Sequence, residues 1–189
     1  MKVKVFIALI MVLVLLQAGL SFADDVKMYN FYQLKYKIND KFDVFIQPDM
    51  RFNDDIREFY YYHFRNGVTY HALENLDLGA TYRFAENKNS AGEWLDEHRL
   101  ELQATPKVTL GDVKLANRSR FEHRWLQDSK DRWRYRNFSK IAYSAKIGDF
   151  EFTPYVSEEI FYDFEIEKLH LNWVAAGIDK KINKNLLSI

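Results

Sequence analysis

From Val113 to Trp125 the chain alternates between two kinds of side chain at a period of two. One set is Val113, Leu115, Asn117, Ser119, Phe121, His123 and Trp125; the other is Lys114, Ala116, Arg118, Arg120, Glu122 and Arg124. A strand sends successive side chains to opposite faces, so this segment makes a sheet with one apolar-leaning face and one densely ionic face. A helix would scatter both sets around its axis. The division recurs along the chain. Glu97, Arg99, Glu101 and Gln103 alternate with His98, Leu100, Leu102 and Ala104; Arg132, Arg134, Arg136, Phe138 and Lys140 alternate with Trp133, Tyr135, Asn137, Ser139 and Ile141. Glu151, Thr153, Tyr155, Ser157 and Glu159 alternate with Phe152, Pro154, Val156, Glu158 and Ile160.

Turn residues punctuate these segments and predict strands at about 27–38, 41–53, 56–71, 75–86, 94–110, 113–126, 131–147, 149–162 and 165–182, with a tenth beginning at Asn185. Gly111-Asp112 and Gly148-Asp149 read as two-residue hairpin turns, in which glycine supplies the positive φ. Asn39-Asp40 and Asn183-Lys184-Asn185 tolerate the same backbone region. The longest connection is residues 86–93, a polar loop. Pro48, Pro106 and Pro154 fall inside strands, where each removes a ladder donor, and are expected to mark bulges. The chain stops a few residues into the tenth strand, so the closing strand or strands are expected beyond Ile189.

Residues 1–23 read as an export signal. Lys2 and Lys4 precede an apolar run from Val5 to Leu16, and Ser21-Phe22-Ala23 forms a small-residue cleavage pattern. The run is shorter than the roughly 20 residues a spanning helix requires. Residues 24–189 then form a single domain. Removing the signal leaves 25 basic against 27 acidic residues, a balance that argues against nucleic acid, which needs a clustered basic surplus. The chain has no cysteine, which excludes disulfide scaffolds, zinc–thiolate sites and thiol catalysis.

Strands of 13 to 17 residues are long beside the usual five or six. Together with the alternation and the signal they predict an all-β, antiparallel up-and-down transmembrane β-barrel of about ten strands, apolar outside and polar inside. Trp94, Trp125, Trp133 and Phe161 or Tyr162 fall near the longer loops, and Tyr36, Phe42, Tyr70 and Phe150 near the short turns, as two interfacial aromatic girdles would.

Several of these residues also carry a family likeness. Glu97-His98-Arg99-Leu100-Glu101-Leu102-Gln103, then Arg118-Ser119-Arg120-Phe121-Glu122-His123-Arg124, then Arg134-Tyr135-Arg136 and Tyr155-Val156-Ser157-Glu158-Glu159-Ile160-Phe161 follow in an order that resembles the outer-membrane-like β-barrels grouped as domain-of-unknown-function family 2490. The resemblance runs from about Lys27 to the end and is most specific in the alternating arginines around Glu122. Trp173 stands where the resemblance leads one to expect arginine. It implies a barrel in a Gram-negative outer membrane and brings no activity or catalytic residue with it.

The candidate site is the ionic face: Glu97, Arg99, Glu101, Arg118, Arg120, Glu122, Arg124, Arg132, Arg134, Arg136 and Glu159. In a barrel of about ten strands these can fill the lumen, with carboxylates directly across from guanidinium groups. Counting Lys114, Lys140 and Glu151 with them gives nine basic and five acidic residues, so any passage is expected to favour small anions. The expected role is structural or a narrow passive conduit in contact with outer-membrane lipid, without cofactor, metal or catalysis. The alternative is a soluble periplasmic lipocalin-like barrel that binds a small amphiphile, with its aromatic face inward and its ionic face outward. The chain has five histidines: His63 and His71 on the ionic face, His98 and His123 on the apolar one, and His170. Ser119 shares a face with His123 but has no acid or oxyanion motif beside it.

Overall fold

A computed structural model describes residues 26–148, 150–179, 181–183 and 186–187, with side chains up to residue 179. The expected signal segment and its cleavage point lie outside the described residues. Thirteen strands follow in chain order: β1 Met28–Phe31, β2 Leu34–Lys37, β3 Phe42–Asn53, β4 Glu58–Leu73, β5 Leu76–Lys88, β6 Trp94–Leu110, β7 Val113–Leu126, β8 Arg132–Tyr143, β9 Ala145–Ile147, β10 Phe150–Asp163, β11 Lys168–Asp179, β12 Lys181–Asn183 and β13 Leu186–Leu187. The first eleven form one antiparallel sheet in which β1 and β2 both pair with β3, β8 and β9 both pair with β10, and the other neighbours in sequence pair in turn, the up-and-down order expected from the turn spacing. The residues expected to open a tenth strand instead pair β13 with β12 in a separate two-stranded sheet.

Short turns at residues 38–41, 74–75 and 111–112 and the reversal at Gly148 share one rim, and connections at 54–57, 89–93, 127–131 and 164–167 share the other. Gly111 and Gly148 take positive φ, as the hairpin reading requires. On the longer-loop rim Asp54, Asp55, Ile56 and Glu167 take positive φ without being glycine.

The prolines correct the expected strand boundaries. Residues 27–38 and 131–147 were each expected as one strand; each is split in two. β1 and β2 pair with β3 in one continuous register, and the break between them lies opposite Pro48. Tyr32 N donates to Pro48 O at 3.0 Å, but Pro48 has no N–H to return. The break between β8 and β9 lies opposite Pro154, again without change of register along β10. Ser144 N donates to Asp112 O on the β7 side, so the backbone of Tyr143 faces Pro154 and finds no donor there. Pro106 behaves alike: Lys107 N bonds Asn75 O, which turns the Pro106 nitrogen toward β7, and the β6–β7 ladder skips Thr105 and Pro106. The prolines therefore mark ladder gaps and not bulges. The register shifts fall elsewhere, at Arg51/Phe52, His71/Leu73 and Phe161/Tyr162.

Among the described residues the sheet has no second layer, yet one of its faces is enclosed. Glu101 and Glu122 are fully buried, and Arg99, Arg120, Arg134 and Arg136 are nearly so. The opposite face leaves Phe64, Leu102, Phe121 and Ile141 half exposed or more. A single sheet can bury one face only by curling around it. Arg65 on β4 reaches Glu101 on β6, and Arg118 on β7 reaches Glu159 on β10, each across an intervening strand. The concave side is therefore the ionic side, the reverse of what the amphiphile-binding alternative needs.

Candidate functional site: an arginine–glutamate lattice on the enclosed face

Register decides how the charges meet. Arg65, Arg83, Arg99, Arg124 and Arg132 pair in succession across β4 to β8, so one ladder row holds five arginines. The next row sets Glu101 opposite Glu122, and the row after sets Arg120 opposite Arg136. Like charge thus faces like charge across the strands, and opposite charge lies two residues along. Directly opposed like charges are unfavourable, but diagonal neighbours lie within reach of long side chains.

The ion pairs are accordingly diagonal for the most part, which corrects the expectation of carboxylates directly across from guanidinium groups. Glu122 receives Arg99 at 3.1 Å and Arg136 at 3.0 Å from diagonal positions, and Arg134 at 2.6 Å from the position directly opposite. Glu101 receives Arg65 at 2.9 Å, Arg83 at 2.8 Å and Arg120 at 3.2 Å. Glu97 takes Arg99 and both forks of Arg124, and Glu159 takes Arg136 and Arg118. Arg99, Arg120 and Arg136 each touch two carboxylates and join these clusters into one network. Arginine suits the task because its planar fork can address two acceptors at once.

The network gathers all of the expected site residues except Arg132. That side chain lies at the longer-loop rim and donates to Ser129 Oγ at 3.4 Å, and no carboxylate lies within ion-pair distance of it among the described residues. Arg65 and Arg83 were missed, although both obey the same alternation. They sit among Tyr, His, Gly and Thr, and the nearest acid in their alternating sets is Asp77, six residues from Arg83. Phe161 also needs correction. It lies inside the curl and not in the girdle, with the Arg136 guanidinium 4.4 Å from its ring centroid and the Trp173 ring 4.9 Å away.

The lattice has a sign. Eight guanidinium groups (Arg65, Arg83, Arg99, Arg118, Arg120, Arg124, Arg134 and Arg136) share four carboxylates. Toward the short-turn rim the enclosed face opens into a cavity of about 1050 Å³, whose lining includes Lys107, Lys114, Lys140, Glu151 and Asp179. Lys140 pairs there with Asp179 at 2.7 Å, and Lys107 with Asp77 at 2.9 Å. The lattice closes one part of the curl and leaves the other as a vestibule.

The histidines do not assemble a reaction centre among the described residues. His71 lies between Asp77 and Asp43, at 2.7 and 2.8 Å. His63 is buried and contacts Tyr61 OH at 3.1 Å. Ser119 Oγ meets Tyr135 OH at 3.0 Å and not His123, whose ring is held between Trp125 and Trp133. No group of three His, Asp or Glu side chains among the described residues is placed to hold a metal ion.

The apolar face ends in aromatic clusters. On the longer-loop rim Trp94 packs on Phe59 and Tyr62, and Tyr162 on Phe164; on the short-turn rim Phe42 stacks on Tyr70 and Phe150 meets Phe152.

Among solved structures, LpxR from Salmonella typhimurium superposes with a TM-score of 0.45 at 8% sequence identity, over 80% of this chain and 76% of that one. No curated protein matches the sequence. Residues 26–187 match the family model described as Protein of unknown function (DUF2490), a span that takes in every strand of the curled sheet and its whole lattice of arginine and glutamate; the chain belongs to that family.

Proposed function

We propose that the protein is an exported outer-membrane β-barrel whose interior is closed by its own arginine–glutamate lattice, with a structural role and no catalysis. One observation carries this reading: the ionic face is the enclosed one and the aliphatic and aromatic face points outward. Leu102, Phe121, Ile141 and Phe64 stand 50 to 59% exposed on that outward face. In water so broad an apolar surface invites aggregation, whereas in a bilayer it is the contact surface. No helix among the described residues is long and apolar enough to cross a membrane. The aromatic clusters at both rims suit the two interfaces. Full burial of Glu101 and Glu122 favours a filled cross-section over an open conduit.

Cell fractionation with gel mobility before and after heating tests the membrane reading. The protein should stay with the outer-membrane fraction until detergent is added, and should migrate faster unheated than heated. Recovery in the periplasmic wash, with no heat-dependent mobility, would overturn it.

A further inference from the structure

The outward face carries a polar patch halfway between its two aromatic rims. On β7 and β8 the Asn117 amide donates to Asn137 Oδ1 at 2.8 Å and to Ser139 Oγ at 2.9 Å. Asn137 returns a bond to Asn117 Oδ1 at 3.0 Å and reaches Tyr135 OH at 3.2 Å. One strand further, Glu158 is exposed on the same face and receives Asn172 Nδ2 at 3.0 Å. Apolar side chains border the patch: Phe121, Ile141 and Val174, the last 75% exposed. On the membrane reading, from which this inference follows, a carboxylate and a cluster of amides and hydroxyls would face the middle of the hydrocarbon. Lipid can neither donate to Glu158 nor accept from the Ser139 hydroxyl, so a protein surface must cover them.

The patch is complementary to itself. The two amides spend their N–H groups inside the cluster, but the Ser139 hydroxyl, which accepts from Asn117, keeps its own hydrogen beside an acceptor carboxylate that has one donor of its own, and the patch contains no cation. Ladder pairing sets Asn117, Ser139 and Glu158 in one row across β7, β8 and β10, with Ser139 in the middle. A two-fold axis along the membrane normal, passing between Ser139 and Glu158, exchanges those two positions. Glu158 of each copy then faces the Ser139 hydroxyl of the other, the arrangement of an isologous interface. We propose that this patch is the interface of a homodimer within the membrane.

The chain has no cysteine, so Ile141→Cys introduces a single thiol next to the axis and leaves the Ser139 hydroxyl in place. In liposomes at low protein-to-lipid ratio, mild oxidation should convert most of that variant to a disulfide-linked dimer. Ile46→Cys, outward on β3 and far from the patch, should give almost none. A Glu158→Leu, Asn137→Leu double variant should lose the dimer by mass photometry in detergent while keeping its heat-dependent mobility. Wild type that is membrane-embedded but monomeric overturns the dimer alone and leaves the membrane reading intact. Equal cross-linking at Ile46→Cys, or a different protein found seated on the patch, overturns it as well. Wild type in the periplasmic wash overturns both readings.

Discussion

Glu122 has no exposure to solvent and three guanidinium groups within 3.1 Å, with Arg120 a fourth at 3.7 Å. Glu122→Gln keeps the shape, removes the charge and turns an N–H toward arginines that cannot accept it. Breaking a buried ion pair from one side leaves the partner charge uncompensated, at a cost of about 3–5 kcal/mol. Urea unfolding of the refolded protein in lipid vesicles should show a loss of that size. Lys146→Gln, which breaks the exposed pair with Glu151, should cost less than about 1 kcal/mol. Equal losses would mean that the lattice does not hold the fold. The chemistry of these residues is plain in the sequence, because Glu and Arg alternate on one set of positions over several strands. Their partners are not. Which charge meets which depends on how neighbouring strands are offset, and the observed offset sets Glu101 against Glu122, a pairing no reader of either strand alone would choose. Phe161 shows the converse limit: an aromatic residue near a rim suggests a girdle, and only its odd-numbered place after Glu159 puts it inside.

At the scale of the strand, alternation and turn residues carry almost the whole order of the sheet, since each face needs its own residue types and each reversal needs Gly, Asn or Asp. The prolines were visible as well, but their effect was not. A proline removes one donor toward one neighbour, and which neighbour loses it depends on where the nitrogen points. Pro154 points toward Tyr143, so β8 and β9 separate there while β10 runs on unbroken. Pro154→Thr restores an N–H to that position and should join β8 to β9. The gain expected from one ladder bond is about 1 kcal/mol. Amide exchange at Ala145 should slow and the urea midpoint should rise; unchanged exchange would show that something other than the missing donor holds the strands apart. On the outward face Leu102→Arg tests orientation. An arginine facing hydrocarbon at mid-span costs about 2–4 kcal/mol, so assembled protein in the outer membrane should fall sharply. Normal assembly would mean that Leu102 does not meet lipid.

For the whole molecule, on the proposed barrel reading, the charge surplus and a lattice-filled cross-section make opposite demands on transport. The excess of guanidinium over carboxylate makes the interior attractive to anions, while the side chains that create the excess occupy the space an anion would use. Arg120 and Arg136 decide between these effects because they lie opposite one another in one ladder row, above the vestibule at the short-turn end. Replacing both with serine empties much of that row. Glu101 keeps Arg65 and Arg83, and Glu122 keeps Arg99 and Arg134, so the lattice retains a partner for each buried carboxylate. Six guanidinium groups then face four carboxylates, and the surplus survives at half its size. In planar bilayers the wild type should give no stepwise current. The Arg120→Ser, Arg136→Ser variant should give small steps, and its reversal potential in a salt gradient should report anion preference, as a basic lining dictates. Steps of equal size from both proteins would show that the lattice does not close the interior. A cation-selective variant would show that the charges lining the opened path are not the ones counted in the lattice, and the sign assigned to the interior would then have to be reversed.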